Sequence, residues 1–404
     1  MHIVFSHQNF PAQFGGFGHY LASLGHKVTF FTAAEKARPP EGCQMVKMKA
    51  HREVTDGIHR FVRSTENAVL NAQGFANAAM RVKARLGQVD AVVAHSGWGS
   101  GTFAKAVWPE AKFISYAEWY YRYPPRDATE ITEGQAPEDG RAQAQCRNIP
   151  MLLDFDQADR IWCPTHFQAA QFPEYWQAKT RVMHDGVDCA RFAPAEAWVE
   201  GVPEGAELVT YATRGMEPHR GFPEFMRALA ILQKQRPNMH AVIAGVDRVA
   251  YGTPLPEGES WKARMLAELD LDLTRVHFVG LLPGPKYREL LQASQAHIYL
   301  TVPFVLSWSM IESMAVGCPM VVSDTAPVRE AITSPDMAEI VGPQDPEAVA
   351  AAVTRLLDDR EMAQAKGRAA RARAVAAYDR AWIWPARAAE LAEMTGAEIG
   401  TDIA

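Results

Sequence analysis

The 404-residue chain has only five cysteines, Cys43, Cys146, Cys163, Cys189 and Cys318, scattered, odd in number and without a C-x-x-C pair. That argues against a disulfide framework and supplies no thiol set for a structural zinc. No run of about 18 apolar residues occurs, so no segment qualifies as a membrane-spanning helix. The opening Met-His-Ile-Val-Phe lacks the basic start and apolar stretch of a secretory leader, and the expected location is the cytoplasm. Basic excess is also missing. Lys and Arg total 41 against 47 Asp and Glu, a net charge of −6, which speaks against a nucleic-acid partner. There is no short-period repeat and no low-complexity tract.

What remains is ordinary for a water-soluble globular protein, with 48% hydrophobic and 22% charged residues. The length is too great for one core and comfortable for two domains. Charge is unevenly spread: residues 1–112 hold 13 Lys and Arg against 7 Asp and Glu, a net of +6. Lys47, Lys49, Arg52, Arg60 and Arg63 form one cluster, and Arg81, Lys83 and Arg85 another. Solvated helix faces are the favoured reading. The alternative is a peripheral contact with anionic lipid at the inner face of a membrane.

Short apolar runs alternate with amphipathic stretches throughout. Strands are predicted at 3–6, 27–32, 91–94, 112–116 and 160–163, then at 208–212, 240–244, 276–279, 297–301 and 320–323. Helices are predicted between them, including 11–24, 65–86, 100–107, 149–158, 222–236, 259–269, 286–293, 309–317 and 346–358, with a long Ala/Arg-rich segment over 361–396. Such alternation means parallel sheets covered by helices on both faces. Residues 193–206 read as a linker. The polar stretch 123–147 reads as a long loop of the kind that forms lids beside α/β clefts. The fold class is therefore α/β, two Rossmann-like doubly wound domains facing across a cleft, where ligands meet the carboxyl ends of the strands.

Two permanent cations stand where such a ligand would lie. Ala-Thr-Arg-Gly-Met-Glu-Pro-His-Arg-Gly places Arg214 and Arg220 directly after the apolar run Leu208–Tyr211. Further on, Leu-Ser-Trp-Ser-Met-Ile-Glu predicts a helix start carrying Glu312. Two guanidinium groups facing a helix N-terminus form a trap for a diphosphate, and a carboxylate one turn in can hold a diol. Each signal has a plainer reading. The arginines could make surface salt bridges. Ser309-Met310-Ile311-Glu312 also fits a capping box, in which Glu312 only closes its own helix; this segment alone leaves the two readings even.

The first strand leads into Ser6-His7-Gln8-Asn9-Phe10-Pro11. Pro11 suits the first helical position and Asn9 or Phe10 its cap, so free amides there could meet an anion; a plain strand-to-helix turn explains the segment equally well. Gly15 and Gly16 fall inside the helical pattern Phe14, Phe17, Leu21, Leu24 and are read as close-packing positions rather than a phosphate loop. His95 follows the strand at 91–94, with a structural hydrogen bond as the plain alternative to a cleft role. Glu118 opens the aromatic run Trp119-Tyr120-Tyr121 after the strand at 112–116, suited to sugar hydroxyls or to interdomain packing. Asp154-Phe155-Asp156 resembles a metal-binding D-x-D, but its helical pattern predicts a solvated face. No metal site is expected, since no other His, Cys and carboxylate group has ligand spacing.

The stretches Arg214–Gly221, Leu306–Glu330 and His184-Asp-Gly-Val-Asp188 resemble the glycosyltransferases of family 4, with GT-B architecture. His7-Gln-Asn-Phe-Pro11 and Ala94-His-Ser-Gly-Trp-Gly99 are similar to a bacterial subgroup of that family. The resemblance implies a domain over 1–195 on the acceptor side, a nucleotide-sugar domain over 207–380, and a final segment, 381–404, that crosses back to the first. It implies that Arg214 and Arg220 hold the donor diphosphate and Glu312 the ribose. Ser307, Trp308 and Ser309 would meet phosphate oxygens, Gly280 and Leu281 would lie by the base, and Gly245 and Val246 near the nucleotide. One departure stands out: the family's first glutamate, near the donor sugar, is Phe304 here.

The expected activity is a retaining, metal-independent transfer of a sugar from a nucleotide diphosphate, a UDP- or GDP-sugar, with no cofactor. The acceptor would be a hydroxyl of a polysaccharide, a lipid-linked oligosaccharide or a protein glycan in bacterial glycan synthesis. Arg214, Arg220, Glu118 and His95 are the expected catalytic residues, and His7, Gln8 and Asn9 line the acceptor side. The alternatives are a non-catalytic nucleotide-sugar-binding subunit, or an epimerase or hydrolase of the same architecture.

Overall fold

A computed structural model describes residues 1–127 and 137–397. Among these, 1–125, 137–186 and 381–397 form one compact unit, and 126–127 with 187–380 form another. The first holds strands β1 (His2–Ser6), β2 (Lys27–Thr32), β3 (Cys43–Lys47), β4 (Ala91–His95), β5 (Lys112–Tyr116), β6 (Arg160–Cys163) and β7 (Thr180–Val182). They make one parallel sheet in the order β3-β2-β1-β4-β5-β6-β7. The central strands β1 and β4 are buried at every residue, as a parallel sheet covered on both faces requires.

The second unit holds β8 (Glu207–Ala212), β9 (Met239–Ala244), β10 (Val276–Gly280), β11 (Ala296–Tyr299), β12 (Met320–Ser323) and β13 (Glu339–Val341). They too are parallel, in the order β10-β9-β8-β11-β12-β13. Its core joins Val209, Tyr211 and Ile243 to Phe222, Phe225, Met226 and Leu229 of the helix Phe222–Gln235. Tyr211 stacks on Phe225 with ring centres 4.5 Å apart. Burying each such side chain contributes about 1.5–3 kcal/mol.

Several expectations need correction. The chain passes from one unit to the other between Gly186 and Val187, not in a linker at 193–206. Val199, Val202 and Ala206 instead pack with Leu208, Val242 and Leu290, so this segment is part of the second unit's core. The polar stretch read as a loop is helical from Pro137, in the helix Pro137–Gln157; its residues 128–136 lie outside the described residues. The predicted helix at 149–158 is only the end of that helix, whose internal Pro150 mimicked a start. The short strands β3 and β13 were not anticipated, because they are edge strands without a fully buried apolar run.

The first helix begins at Gly15, not at Pro11, with Phe14 as its N-cap and no side-chain cap. Gly15 and Gly16 are therefore its first two positions, and the packing reading holds: a Cβ on Gly16 would come within 2.8 Å of the Trp384 ring. In the basic clusters, Lys47 donates to the carbonyls of Ala34 and Ala37, Arg52 pairs with Glu66 and Arg60 with Asp139. Lys83 donates to the Val107 carbonyl, while Lys49, Arg63, Arg81 and Arg85 are exposed. No helix among the described residues is long and apolar enough to cross a membrane.

The helix Arg380–Thr395 closes the first unit around a buried charge. Arg387 is fully buried and donates to the Met183 carbonyl at 2.8 Å and to Asp185 Oδ1 at 3.1 Å. The Tyr116 hydroxyl donates to the same carboxylate at 2.9 Å. The rings of Trp162, Tyr116 and Phe17 surround the guanidinium at 5.1–6.0 Å. Glu390 in the same helix accepts from Trp162 Nε1 at 2.9 Å and pairs with Arg160 at 3.0 Å. Arg387→Ala strands Asp185 without its cation and is expected to lower the unfolding free energy by about 3–5 kcal/mol, read from urea denaturation. An unchanged midpoint would show that the pair does not hold the unit together.

Candidate active site

In the second sheet the strand order turns at β8: β9 lies on one side and β11 on the other. Ligands of α/β sheets bind at the carboxyl ends of strands flanking such a turn. Arg214 and Arg220 leave β8, and the helix Trp308–Ala315 follows β11. Backbone bonds draw the neighbouring strand ends in. Thr213 N–H donates to the Ala244 carbonyl at 2.9 Å, Met216 N–H to that of Val246 at 3.1 Å, and Gly245 N–H to that of Gly280 at 2.8 Å. Gly245, Val246 and Gly280 thus share one rim with the arginine loop, and Leu281 beside them is strongly exposed.

The two arginines differ. Arg220 is only 7% exposed. Its Nη1 donates to Thr301 Oγ1 at 3.0 Å and lies 3.4 Å from both the Tyr299 hydroxyl and the Val305 carbonyl. The rings of Tyr251 and Phe304 flank its guanidinium at 5.2 and 5.7 Å. Arg214 is exposed, and its Nη1 lies 3.5 Å from the Tyr251 hydroxyl. Among the described residues neither arginine has a carboxylate partner, so surface salt bridging does not explain them. A buried cation without a counter-charge is costly and favours an anion.

The Tyr299 hydroxyl also accepts the Ser307 amide at 3.1 Å, which ties Arg220 to the helix start. Ser307 is the N-cap, its Oγ accepting from the Ser309 amide, and Trp308 opens the helix with its ring partly exposed. Because the cap is Ser307 and not Ser309, Glu312 lies in the second turn and cannot close a capping box. Its carboxyl is pushed up to about 7 by burial, while the Tyr287 hydroxyl and Arg191 oppose that shift.

Sequence reasoning missed Tyr251 and Glu217. Glu217 is fully buried and accepts the amides of Ala250, Tyr251 and Gly252 at 2.8–3.2 Å. That clamp fixes the loop that brings Tyr251 to both arginines. The charged residue inside the otherwise turn-like Met-Glu-Pro was the one available signal. Phe304 closes the ring cluster, its centroid 5.1 Å from Tyr251 and 5.9 Å from His219.

In the first sheet the order turns at β1, between β2 and β4. His7 follows β1, His95 ends β4, and Glu118 follows β5, so the three predicted side chains converge. His95 Nε2 and Glu118 Oε2 are 3.0 Å apart, and His95 Nδ1 donates to the Ser96 carbonyl at 2.9 Å. The His7 ring meets His95 edge-on at 4.8 Å. Burial, and then His95, lower the His7 pKa to about 2, so its ring is neutral. Its Nδ1 accepts the Asn9 amide at 2.8 Å. Of the amides in this segment, those of His7, Asn9, Phe14 and Gly15 are paired.

The reading of Asp154 as a solvated residue is also corrected. Its side chain is fully buried and accepts from Thr102 Oγ1 at 2.6 Å, Gly97 N at 3.0 Å and Ser96 Oγ at 3.2 Å. Burial pushes its pKa up to about 6 against those bonds. Asp154 is the anchor of the loop after β4, and Asp156 points elsewhere, exposed. Among the described residues no group of three His, Cys or carboxylate side chains could hold a metal.

Comparisons with known proteins decide the family. Residues 24–192 match the model described as "Glycosyl transferase family 4 group", and residues 193–373 match "Glycosyl transferases group 1". The chain belongs to the family 4 glycosyltransferases, of GT-B type. A D-inositol 3-phosphate glycosyltransferase from Thermomonospora curvata is 25% identical over 360 residues, 84% of this chain and 80% of that one. Sucrose-phosphate synthase from Thermosynechococcus elongatus superposes with a TM-score of 0.73 at 17% identity, over 98% of this glycosyltransferase and 100% of that chain. Anabaena HepE, solved in complex with UDP-glucose, superposes at 0.68 with 13% identity, over 97% and 100%. Both structures share the fold.

The Asp154 anchor is testable. Asp154→Asn exchanges an acceptor oxygen for an amide, and one of the three donors loses its partner. The expected loss is about 1–3 kcal/mol of unfolding free energy in urea. A variant as stable as the parent would show that the loop is held by other bonds.

Proposed function

We propose that this glycosyltransferase moves a hexosyl group from a nucleotide-diphosphate donor, a UDP- or GDP-sugar, to a hydroxyl acceptor with retention at the anomeric carbon and without a metal ion. The observation that carries the reading is Arg220, a buried guanidinium with hydroxyl, carbonyl and ring neighbours but, among the described residues, no carboxylate, hydrogen-bonded to the hydroxyl that also holds the start of the helix Trp308–Ala315. A diphosphate supplies the counter-charge to Arg220 and Arg214 beside the start of the helix Trp308–Ala315, whose dipole favours an anion, although the Ser307 and Ser309 amides expected to meet it are taken by Tyr299 and by Ser307 Oγ. Glu312 accepts from the ribose hydroxyls, with Gly245, Val246, Gly280 and Leu281 around the rest of the nucleotide. HepE, crystallised with UDP-glucose on the same fold, supports a donor of this class.

In the proposed reaction the bond from the anomeric carbon to the diphosphate oxygen breaks as the acceptor oxygen bonds to the same face. The acceptor proton passes to the departing phosphate oxygen. Negative charge grows on the diphosphate, and the two arginines stabilise it there, the role a metal ion plays in other transferases. Asp154 does not offer a competing metal ligand, because its oxygens are taken by Ser96, Gly97 and Thr102. His95 and Glu118, 3.0 Å apart, present a polar pair to sugar hydroxyls. The acceptor belongs to bacterial glycan synthesis: a polysaccharide, a lipid-linked oligosaccharide or a protein glycan.

Arg214→Ala is expected to reduce turnover of a UDP-hexose at least about 100-fold, the scale of removing one stabiliser of developing charge. Near-parental turnover would remove its role. A second measurement uses Glu312. Its carboxyl titrates near 7 when free and must be ionised to accept two hydroxyls, so nucleotide binding releases a proton. UDP affinity should therefore fall by about tenfold between pH 8 and pH 6 in the parent beyond the fall seen in Glu312→Gln. Equal slopes in both proteins would place the ribose elsewhere.

A further inference from the structure

Trp98 is 51% exposed, although its neighbours Gly99 and Ser100 are buried. Three constraints hold their loop. Asp154 takes the Ser96 hydroxyl, the Gly97 amide and the Thr102 hydroxyl. Gln8 Nε2 donates to the Trp98 carbonyl at 3.0 Å. Gly99, at φ +80°, sits so close to the Ala68 carbonyl that a Cβ would collide with it. A large apolar ring held in water by a fixed backbone loses contact area that it would gain by folding inward, and such rings mark binding surfaces. The Trp98 indole stands 6.5 Å from the His95 ring, tilted 56° to it, and His95 Nε2 lies 3.0 Å from Glu118 Oε2. Polar groups able to bond hydroxyls thus adjoin a flat apolar face.

Resting on the transferase reading above, we infer that Trp98 is the platform of the acceptor site and that the acceptor is a saccharide, one pyranose ring lying over the indole with its hydroxyls toward His95 and Glu118. A pyranose has this double character, an apolar C–H face with hydroxyls around its edge. A compact polyol phosphate does not, and a small charged acceptor would leave the indole uncovered. The frame made by Asp154 and Gln8 sets the indole before the ligand arrives, which lowers the ordering cost of binding.

The full chain is tested by saturation-transfer NMR with maltose, chitobiose and methyl α-mannoside, with glycerol 3-phosphate as the ring-free control and UDP as the donor-side control. In the parent, the ring C–H protons of at least one saccharide should receive saturation and those of glycerol 3-phosphate should not. Trp98→Ala should weaken that saccharide's binding at least about tenfold, and Trp98→Phe should restore most of it, with UDP binding equal in all three proteins. No saccharide signal in the parent, or one that survives in Trp98→Ala, overturns the inference. A glycerol 3-phosphate signal that depends on Trp98 overturns it in favour of a phosphate acceptor. Loss of UDP binding in the parent instead defeats the donor reading, and the Trp98 comparison still stands on its saccharide signals.

Discussion

The burial of Arg220 with no opposite charge beside it among the described residues is the constraint from which the rest of the second unit's candidate site follows. A guanidinium cannot lose its proton, so it cannot escape the cost of burial by titrating as a lysine could. Its surroundings reduce that cost in three ways: hydroxyls from Tyr299 and Thr301, a carbonyl from Val305, and the ring faces of Tyr251 and Phe304. None of these neutralises it. The nearby carboxylate of Glu217 is spent on three backbone amides, and through them it delivers Tyr251 to the cation. On the proposed reading, the unit keeps a positive site at the helix start, at a stability cost that an anionic donor would offset on binding.

The two units meet the same topological rule with different chemistry. Each places its polar side chains at strand ends flanking the position where strand order turns, β8 in one sheet and β1 in the other. The second unit offers fixed positive charge. The first offers a neutral His7, the His95–Glu118 pair and an exposed indole. That contrast fits a division of labour in which one unit binds a charged leaving group and the other an uncharged, hydroxyl-rich partner.

Much of this was legible in the residues. Apolar runs gave the strands because buried parallel strands need apolar side chains on both faces, and the residue after each run marked the rim where Arg214, His95 and Glu118 stand. The failures share a cause: periodicity reports which residues are apolar, not what a polar one touches. Asp154 sits in a helical pattern and reads as solvated, yet its partners lie more than fifty residues upstream. Tyr251 reaches the arginines only through Glu217, more than thirty residues before it. The Ser309–Glu312 spacing matched a capping box that the true cap, Ser307, displaces by two residues. The segment at 193–206 looked like a linker for its prolines and glycines, while its few apolar side chains were enough to join a core.

The helix Arg380–Thr395 has a consequence for how the chain is made. Trp162, Phe17 and Tyr116, translated early, enclose a cation supplied by Arg387, and Glu390 reaches back to Trp162 and Arg160. On the ribosome, the unit whose strands emerge first must wait for the helix Arg380–Thr395 before its last face is covered. The second unit has all its residues from 187 to 380 available sooner. Completion therefore runs against the direction of synthesis, and a chain cut just after Arg380 would keep its second unit whole and carry an apolar wound on its oldest part.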